Sequence, residues 1–269
     1  MSRAILTALA LAGCVTLPGP PPCTTRRIDE LYVDPGVSSA DREPWLSADH
    51  LELWFRRDQN ALNQLVFTTR SSVDQPFGSP TTSALSTGNE GAPFITDDGL
   101  ELWFNRRSGS SGTPSVFKAT RAMPSGDFAD AMDVGLAGFD SVSLTHDGLT
   151  MIIASNGHLF TVSRTSTSAM FPTPLARDEI APGVVSTGAE QHPSISADGA
   201  SFAFERDDVD NVGTILSASG AGFVNLTSLE TELGSGSASD GQPQLDRDGR
   251  TVAFSSNRDG AYQLFLYCE

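Results

Sequence analysis

One stretch of the chain, Pro93-Phe94-Ile95-Thr96-Asp97-Asp98-Gly99-Leu100-Glu101-Leu102-Trp103-Phe104, recurs in recognisable form four more times. Each copy reads as a strand, a tight turn centred on an aspartate, and a second strand. Asp-Gly between two apolar runs is a strong hairpin signal, because the turn that it favours needs positive φ angles. The central aspartates lie 49 to 51 residues apart, and this regular period predicts an array of similar units; they are Asp49, Asp98, Asp147, Asp198 and Asp248.

Two further strands follow the hairpin in the repeat. The third strands are predicted at Leu65–Thr69, Val116–Thr120, Leu159–Ser163, Ile215–Ser219 and Leu264–Cys268, and weaker fourth strands near Phe77, Phe128, Phe171 and Phe223. Four antiparallel strands in a unit of about 40–50 residues are typical of a propeller blade. A blade cannot bury both of its faces alone, so blades stack in a ring. We therefore predict an all-β protein with a single β-propeller of five four-stranded blades.

The ring is expected to close through the N-terminal part of the chain. The fifth copy reaches Glu269 after only three strands, and an isolated strand, Ile28–Val33, precedes the first copy. We predict that this N-terminal strand completes the last blade, which removes two free sheet edges. The propeller domain is accordingly placed at residues 28–269.

The repeat resembles the TolB-type propeller repeat, in which Pro and Ser are followed by Asp-Gly, an apolar residue and Phe. The resemblance is carried by His192-Pro193-Ser194-Ile195-Ser196-Ala197-Asp198-Gly199 and by Phe254-Ser255-Ser256-Asn257-Arg258-Asp259-Gly260, and it covers Ile28–Glu269. Copy three departs most, with Val142 for the Pro and Ile153 for the Phe, and His50 replaces Gly at the first turn. The resemblance implies an exported bacterial protein, and the family includes partner-binding propellers.

The N-terminus has the features of a targeting segment. Arg3 is followed by the short apolar run Ala4–Ala12, and Leu11-Ala12-Gly13-Cys14 resembles the bacterial lipobox. We predict that residues 1–13 are a signal peptide, that Cys14 is lipidated, and that residues 14–27 form a Pro-rich tether. By the same resemblance, Val15 favours the outer membrane of a Gram-negative cell. The alternative is an ordinary signal peptide with a chance cysteine.

Charge restricts the partners. The formal net charge is −16 and the sequence pI is about 4.5, so the surface repels nucleic acid and anionic membranes. Membrane attachment is therefore expected only through the lipid, and we expect a monomer without a cofactor whose partner is an envelope protein or a glycan.

A disulfide between Cys23 and Cys268 is predicted, because the two cysteines lie at the cut ends of the last blade; two free thiols are the alternative.

Charged residues recur on either side of the central turn. An acid stands eight residues before the aspartate in four copies, and an arginine stands eight residues after it in three; in copy five Arg258 lies two residues further on. These positions face each other across a hairpin. They are either repeated structural ion pairs or a charged rim at the channel mouth, and they comprise Asp41, Glu90, Glu190, Asp240, Arg57, Arg106, Arg206 and Arg258.

No catalytic constellation stands out. The sequence has no Gly-x-Ser-x-Gly nucleophile elbow and no zinc spacing, and the acidic loop Asp207–Asn211 lacks the spacing of a calcium-binding EF-hand. We therefore predict a non-catalytic cell-envelope lipoprotein that serves as a scaffold for protein or ligand binding, with no catalytic or metal-binding residues. The alternative is a carbohydrate-active or carbohydrate-binding propeller that uses acids at the channel mouth.

Overall fold

The computed structural model describes residues 25–27, 39–109, 111–180, 188–207, 212–234, 236–246 and 251–268. It contains five four-stranded antiparallel sheets, which are the blades of a single five-bladed β-propeller. The predicted all-β fold class is confirmed. Apart from strands, the described residues include the helical turn α1 (Glu230–Leu233) and two 3₁₀ turns at Ala176–Asp178 and Ala221–Phe223. None of the helices in the described ranges has the length and hydropathy of a membrane span.

Each blade is a meander whose first strand lies at the channel. Blade one contains β2 (Ala40–Leu46), β3 (Glu52–Gln59), β4 (Leu62–Thr69) and β5 (Thr81–Thr82). Blade two contains β6 (Glu90–Ile95), β7 (Glu101–Arg107), β8 (Pro114–Thr120) and β9 (Ala129–Ala137). Blade three contains β10 (Ser141–Leu144), β11 (Thr150–Ser155), β12 (His158–Ser163) and β13 (Glu179–Ile180). Blade four contains β14 (Ala189–Ile195), β15 (Ser201–Asp207), β16 (Gly213–Ser219) and β17 (Asn225–Ser228). Blade five contains β18 (Asp240–Leu245), β19 (Thr251–Ser256), β20 (Gln263–Cys268) and β1 (Arg26–Arg27).

The N-terminal strand closes the ring. Arg26 pairs with Leu266 and Arg27 with Phe265, so β1 becomes the outermost strand of blade five, next to β20. Closure by an N-terminal strand is therefore confirmed, but the observed pairing begins two residues before the predicted strand. The whole of that predicted strand, Ile28–Val33, lies outside the described residues.

The repeated turn owes its shape to its aspartate. Asp98 Oδ1 accepts hydrogen bonds from Thr96 Oγ1 at 2.7 Å and from the Leu100 amide at 3.0 Å, and Gly99 follows with φ = 71°. His50 adopts the same left-handed conformation, with φ = 58°, although it carries a side chain. A non-glycine residue in this region is strained, so the flanking hairpin imposes the turn on His50.

Arginines at the ends of three third strands hold the same turns in place. Each guanidinium donates through Nε to a backbone carbonyl in the turn and covers the ring of a phenylalanine at 4.2 to 4.5 Å; the pairs are Arg70–Phe77, Arg121–Phe128 and Arg164–Phe171. A cation over an aromatic face stabilises the contact. The motif links the third strand, the turn and the segment that leads to the fourth strand within one blade. The fourth strands of blades one and three begin at Thr81 and Glu179, beyond the positions predicted near Phe77 and Phe171.

The apolar core lies between the blades. Five clusters of buried side chains occupy the five interfaces, and fully buried phenylalanines stand at equivalent positions of the second strands; they are Phe55, Phe104, Phe204 and Phe254. Each blade therefore buries both of its faces only because it has two neighbours.

Candidate functional site

The first strand of most blades kinks just before its proline. The residue preceding the proline has a positive φ angle in blades one, two, four and five, and strand pairing shifts register at the same point. A bulge of this kind re-aims the side chain that it carries. The four residues are Glu43, Ala92, His192 and Gln242.

These kinks lie next to a polar cavity at the end of the channel where the first strands begin. The cavity has a volume of about 320 Å³, and we call it the polar mouth. Its lining is almost entirely polar and comprises Arg42, Glu43, Arg56, Asn63, Asn89, Glu90, Asn105, Arg107, Asp140, Gln191, His192, Glu205, Asp207, Ser239, Gln242 and Tyr262.

A histidine lies between two carboxylates in the polar mouth. His192 Nδ1 is 2.9 Å from Glu205 Oε2, and His192 Nε2 is 3.7 Å from Glu43 Oε1. Burial would lower the pKa of His192, but the hydrogen bonds and charges of Glu205 and Glu43 raise it to about 10. His192 is therefore an imidazolium at neutral pH, and it connects blade four to blade one across the channel.

Glu43 and Glu205 each also bind the following blade. Glu43 accepts from the Ala92 amide of blade two at 2.5 Å, and Glu205 accepts from the Gln242 amide of blade five at 3.0 Å. Within blade one, Glu43 also accepts from Arg56 Nη1 at 2.5 Å. Burial would raise the pKa of Glu43, but the charge of Arg56 and the contacts with His192 and Ala92 lower it to about 2. The pKa of Glu205 is lowered in spite of its burial, mainly by the hydrogen bond from His192. Both carboxylates are thus held ionised.

Two glycines give these carboxylates room. A Cβ atom at Gly91 would lie 2.4 Å from Glu43 Oε2, and one at Gly241 would lie 2.5 Å from Glu205 Cδ. Each contact is shorter than van der Waals packing allows. Each glycine is the residue before the kink of the next blade, so its missing side chain lets the carboxylate reach that blade's backbone.

Two further acids in the polar mouth have raised rather than lowered pKa values. Burial raises the pKa of Asp140, and burial together with the charge of Glu205 raises the pKa of Asp207. Asp140 Oδ2 lies 4.0 Å from Arg107 Nη2, and Asp207 Oδ2 accepts a hydrogen bond of 2.6 Å from Gln191. These two groups bind a proton more readily than an exposed aspartate does.

The acids predicted from the repeat form ion pairs inside the hairpins. The shortest distances between their charged atoms are 2.7 Å for Asp41–Arg57, 2.9 Å for Glu90–Arg106, 2.5 Å for Glu190–Arg206 and 2.8 Å for Asp240–Arg258. All four acids are buried, and each arginine lies over a phenylalanine of its own blade. Of these eight residues only Glu90 lines the polar mouth. The arrangement corresponds to the structural-pair interpretation of the motif.

Apart from Glu90 and Asp207, the residues that line the polar mouth were not identified in the sequence analysis. Glu43, Asp140, His192 and Glu205 stand at positions that differ from blade to blade, whereas the prediction followed positions that recur. The sequence feature that could have identified Glu43 and His192 is their position immediately before the proline of a first strand.

Several other residues discussed in the sequence analysis lie outside the described residues. They include Cys14, Cys23 and residues 208–211 of the acidic loop, whereas Asp207 at the start of that loop lines the polar mouth. Cys268 ends β20, but its side chain is not among those described. Within the described ranges, no group of three or more His, Cys, Asp or Glu side chains is arranged to hold a metal ion.

Comparison with known proteins gives structural matches only. The sequence matches no protein-family model and no curated protein. TolB from Acinetobacter baumannii aligns with a TM-score of 0.52 at 14% identity over 86% of this chain and 55% of that one. A protein described as a putative TolB, from Agrobacterium tumefaciens, aligns with a TM-score of 0.52 at 15% identity over 86% of this chain and 76% of that one. The catalytic domain of a GH62 α-L-arabinofuranosidase from Coprinopsis cinerea aligns with a TM-score of 0.59 at 11% identity over 92% of this chain and 96% of that one.

These matches establish the fold and no more. TolB proteins are among the solved structures that this chain resembles, in agreement with the TolB-type repeat, and the chain spans about half the length of the Acinetobacter protein. An arabinofuranosidase has the same fold, so the fold by itself is compatible with binding and with catalysis. The chain is therefore a single five-bladed β-propeller whose solved structural neighbours include TolB proteins.

Proposed function

We propose that this chain is a non-catalytic, lipid-anchored protein of the bacterial cell envelope that binds a partner at the ends of its propeller channel. The observation that supports this proposal most strongly is the state of the carboxylates in the polar mouth. Glu43 and Glu205 are held ionised by His192, and Glu90 is paired with Arg106.

Glycoside hydrolysis needs two carboxyl groups with different roles. One must be protonated to act as a general acid, and the other must be free to act as a base or a nucleophile. Glu43 and Glu205 meet neither requirement, because their oxygens are occupied by Arg56, His192 and backbone amides. The cluster supports binding and rigidity better than acid–base catalysis.

A carbohydrate-active protein is the second candidate, and one observation favours it. Burial raises the pKa of Asp140 and of Asp207 in the same cavity, which is the bias that a general acid needs. Among the described residues, Asp140 has Arg107 and Asp207 has Gln191 as its close cationic or amide partner. The GH62 arabinofuranosidase shows that this fold can carry such chemistry.

A hydrolysis assay separates the two candidates. The mature chain would be incubated with 4-nitrophenyl α-L-arabinofuranoside, β-D-xyloside and β-D-galactoside, and release of nitrophenol would be followed. We expect no release above the rate in buffer. Hydrolysis that is abolished in both Asp140→Asn and Asp207→Asn would contradict the proposal and establish the second candidate.

Photocrosslinking in cells tests the binding half of the proposal. p-Benzoylphenylalanine would replace Asn63 in the polar mouth, Ser125 in the cavity at the opposite end of the channel, or Val224, which is 63% exposed and lines neither of these two cavities. We expect a discrete adduct from at least one channel-end position and none from Val224. Absence of an adduct from both ends would contradict the proposal.

A further inference from the structure

A large cavity lies at the end of the ring opposite the polar mouth. Its volume is about 870 Å³, and it opens where the Asp-Gly turns join the first and second strands. We call it the turn-side pocket. None of the residues predicted from the sequence as functional lines it, so its chemistry is independent of the polar mouth.

The floor of the turn-side pocket is a ring of aliphatic side chains. The last residue of the first strand in every blade contributes to it: Leu46, Ile95, Leu144, Ile195 and Leu245. All five are buried, with between 1% and 9% of their surface exposed. Five-fold repetition of the strand therefore places an apolar patch on the channel axis.

From this floor the pocket extends outward between blades one and two. Trp54 and Phe67, which stack at 4.8 Å, line its wall, and Thr81 and Thr82 of the outermost strand of blade one line its far end. Three strand spacings of about 4.8 Å separate β2 from β5, which gives a groove of roughly 14 Å. About four residues of extended chain fill that length, at about 3.3 Å per residue.

The rim of the turn-side pocket is acidic. Its lining includes six carboxylates and two guanidinium groups, a formal excess of four negative charges; the carboxylates are Asp49, Glu52, Asp97, Asp98, Asp127 and Asp246. Both guanidinium groups have partners, because Arg70 and Arg121 cover phenylalanines and Arg121 pairs with Glu52 at 2.8 Å. Asp97 pairs with His146. Asp127 is exposed and has no hydrogen bond or ion pair within the described ranges.

We propose that the turn-side pocket docks an extended, lysine- or arginine-bearing segment of a partner protein, with an apolar side chain of that segment seated on the five-residue floor. This inference rests on the proposed binding function and adds the chemistry of the partner. An acidic rim favours a cationic segment through charge complementarity, and an apolar floor favours an aliphatic or aromatic anchor. A second copy of this chain is disfavoured, because each copy carries a formal net charge of −16.

The test measures binding of defined peptides to the mature full chain in detergent micelles by fluorescence anisotropy. The probe is a fluorescein-labelled hexapeptide of alternating lysine and leucine. A glutamate–leucine hexapeptide controls for charge, and a lysine–serine hexapeptide controls for the apolar anchor. We expect saturable binding of the lysine–leucine peptide only, weakening as salt is raised from about 50 to 500 mM.

Two matched variants locate the binding site. Ala84 is exposed on the pocket lining, and Ala176 is exposed on blade three and lines neither the turn-side pocket nor the polar mouth. Ala84→Arg places bulk and positive charge at the pocket and is expected to weaken binding at least about tenfold, whereas Ala176→Arg leaves it unchanged. Asp127→Asn removes one rim charge and is expected to weaken binding about threefold.

Equal binding by the two alanine variants would overturn the proposal, and so would equal binding of the lysine–serine peptide or no binding at all. These outcomes are distinguishable from failure of the proposed function. A photocrosslinked adduct at Asn63 without peptide binding at the turn-side pocket would leave the binding function in place and remove only this inference.

Discussion

His192 in the kink of β14 donates its Nδ1 hydrogen to Glu205 on the neighbouring strand β15, over 2.9 Å. The imidazolium is largely buried, and its other nitrogen faces Glu43 of blade one. Only 5% of the Glu43 side chain and 7% of the Glu205 side chain is exposed, so we expect the stability of the ring to depend on this contact.

Removal of the imidazole is therefore expected to destabilise the fold. His192→Ala should lower the free energy of unfolding in urea by about 3–5 kcal/mol, because it leaves two buried carboxylates without their shared cation. His146→Ala is the control, since His146 also pairs with an aspartate, Asp97, but its side chain is 55% exposed. His146→Ala should lower the free energy of unfolding by only about 0–1 kcal/mol. Similar losses in the two variants would contradict the assigned role of His192.

The same cluster predicts a specific dependence of stability on pH. The pKa of His192 rises from 6.5 to about 10 on folding, so its contribution is complete below pH 6.5 and is lost as pH rises towards 10. The pKa of Glu43 falls from 4.5 to about 2, so its contribution is present above pH 4.5 and is lost as pH falls towards 2. Urea titrations of the native chain and of His192→Gln should therefore give curves that converge between pH 6.5 and 10. A constant difference across that range would show that His192 is neutral in the fold.

The repeated ion pairs should show measurable coupling. Glu90 is 1% exposed and Arg106 Nε lies 2.9 Å from it, so a double-mutant cycle with Glu90→Gln and Arg106→Gln should give a favourable coupling of about 1 kcal/mol. Arg177 and Asp178 provide the control cycle, because their charged atoms are 3.7 Å apart and Arg177 is 78% exposed. The control should give no measurable coupling. Equal coupling in both cycles would mean that burial adds nothing to the Glu90–Arg106 pair.

Lipid attachment at Cys14 is expected from the lipobox-like sequence. Cys14→Ala should move the protein from the membrane fraction to the soluble fraction and remove the mass of the lipid from the mature N-terminus. Substitution of Thr16 by Ala, two residues beyond, is the matched control and should leave the protein with the membrane. Normal processing and sedimentation of the Cys14 variant would contradict the anchor.

A disulfide between Cys23 and Cys268 is the remaining expectation. Peptide mapping of the mature chain without reductant should find the two cysteine peptides linked. Closing a loop of about 245 residues corresponds to roughly 5 kcal/mol in the chain-entropy model, so reduction should lower the urea midpoint clearly. Alkylation of both thiols without reductant would show that they are free.

The blades were predictable because their determinants recur. Asp98 and its equivalents form the turns, and pairs such as Glu90–Arg106 follow from the register of a hairpin centred on them. A hairpin prescribes such partners locally, so its contacts can be read from spacing alone.

The polar mouth was not predictable in the same way. Its contacts join residues far apart in the chain, such as Glu43 and His192, and which side chains meet there depends on ring closure. The kink also interrupts the alternation of inward-facing and outward-facing residues along a strand, so the orientation of these side chains does not follow from that alternation. The pairing of Arg26 and Arg27 was missed for a different reason, because a two-residue strand has too short a pattern to recognise.

The kink before each proline has a consequence for how such a protein can change over time. The backbone conformation is the same whether the residue is Glu43, Ala92, His192 or Gln242, so the architecture does not prescribe the chemistry of that position. Substitutions at these positions can change the side chains that line the channel, one blade at a time, while the turns and the interfaces between blades stay intact. A gene family that inherits this ring could diversify its ligands through a handful of codons, and a library randomised at those codons would explore the same range in the laboratory.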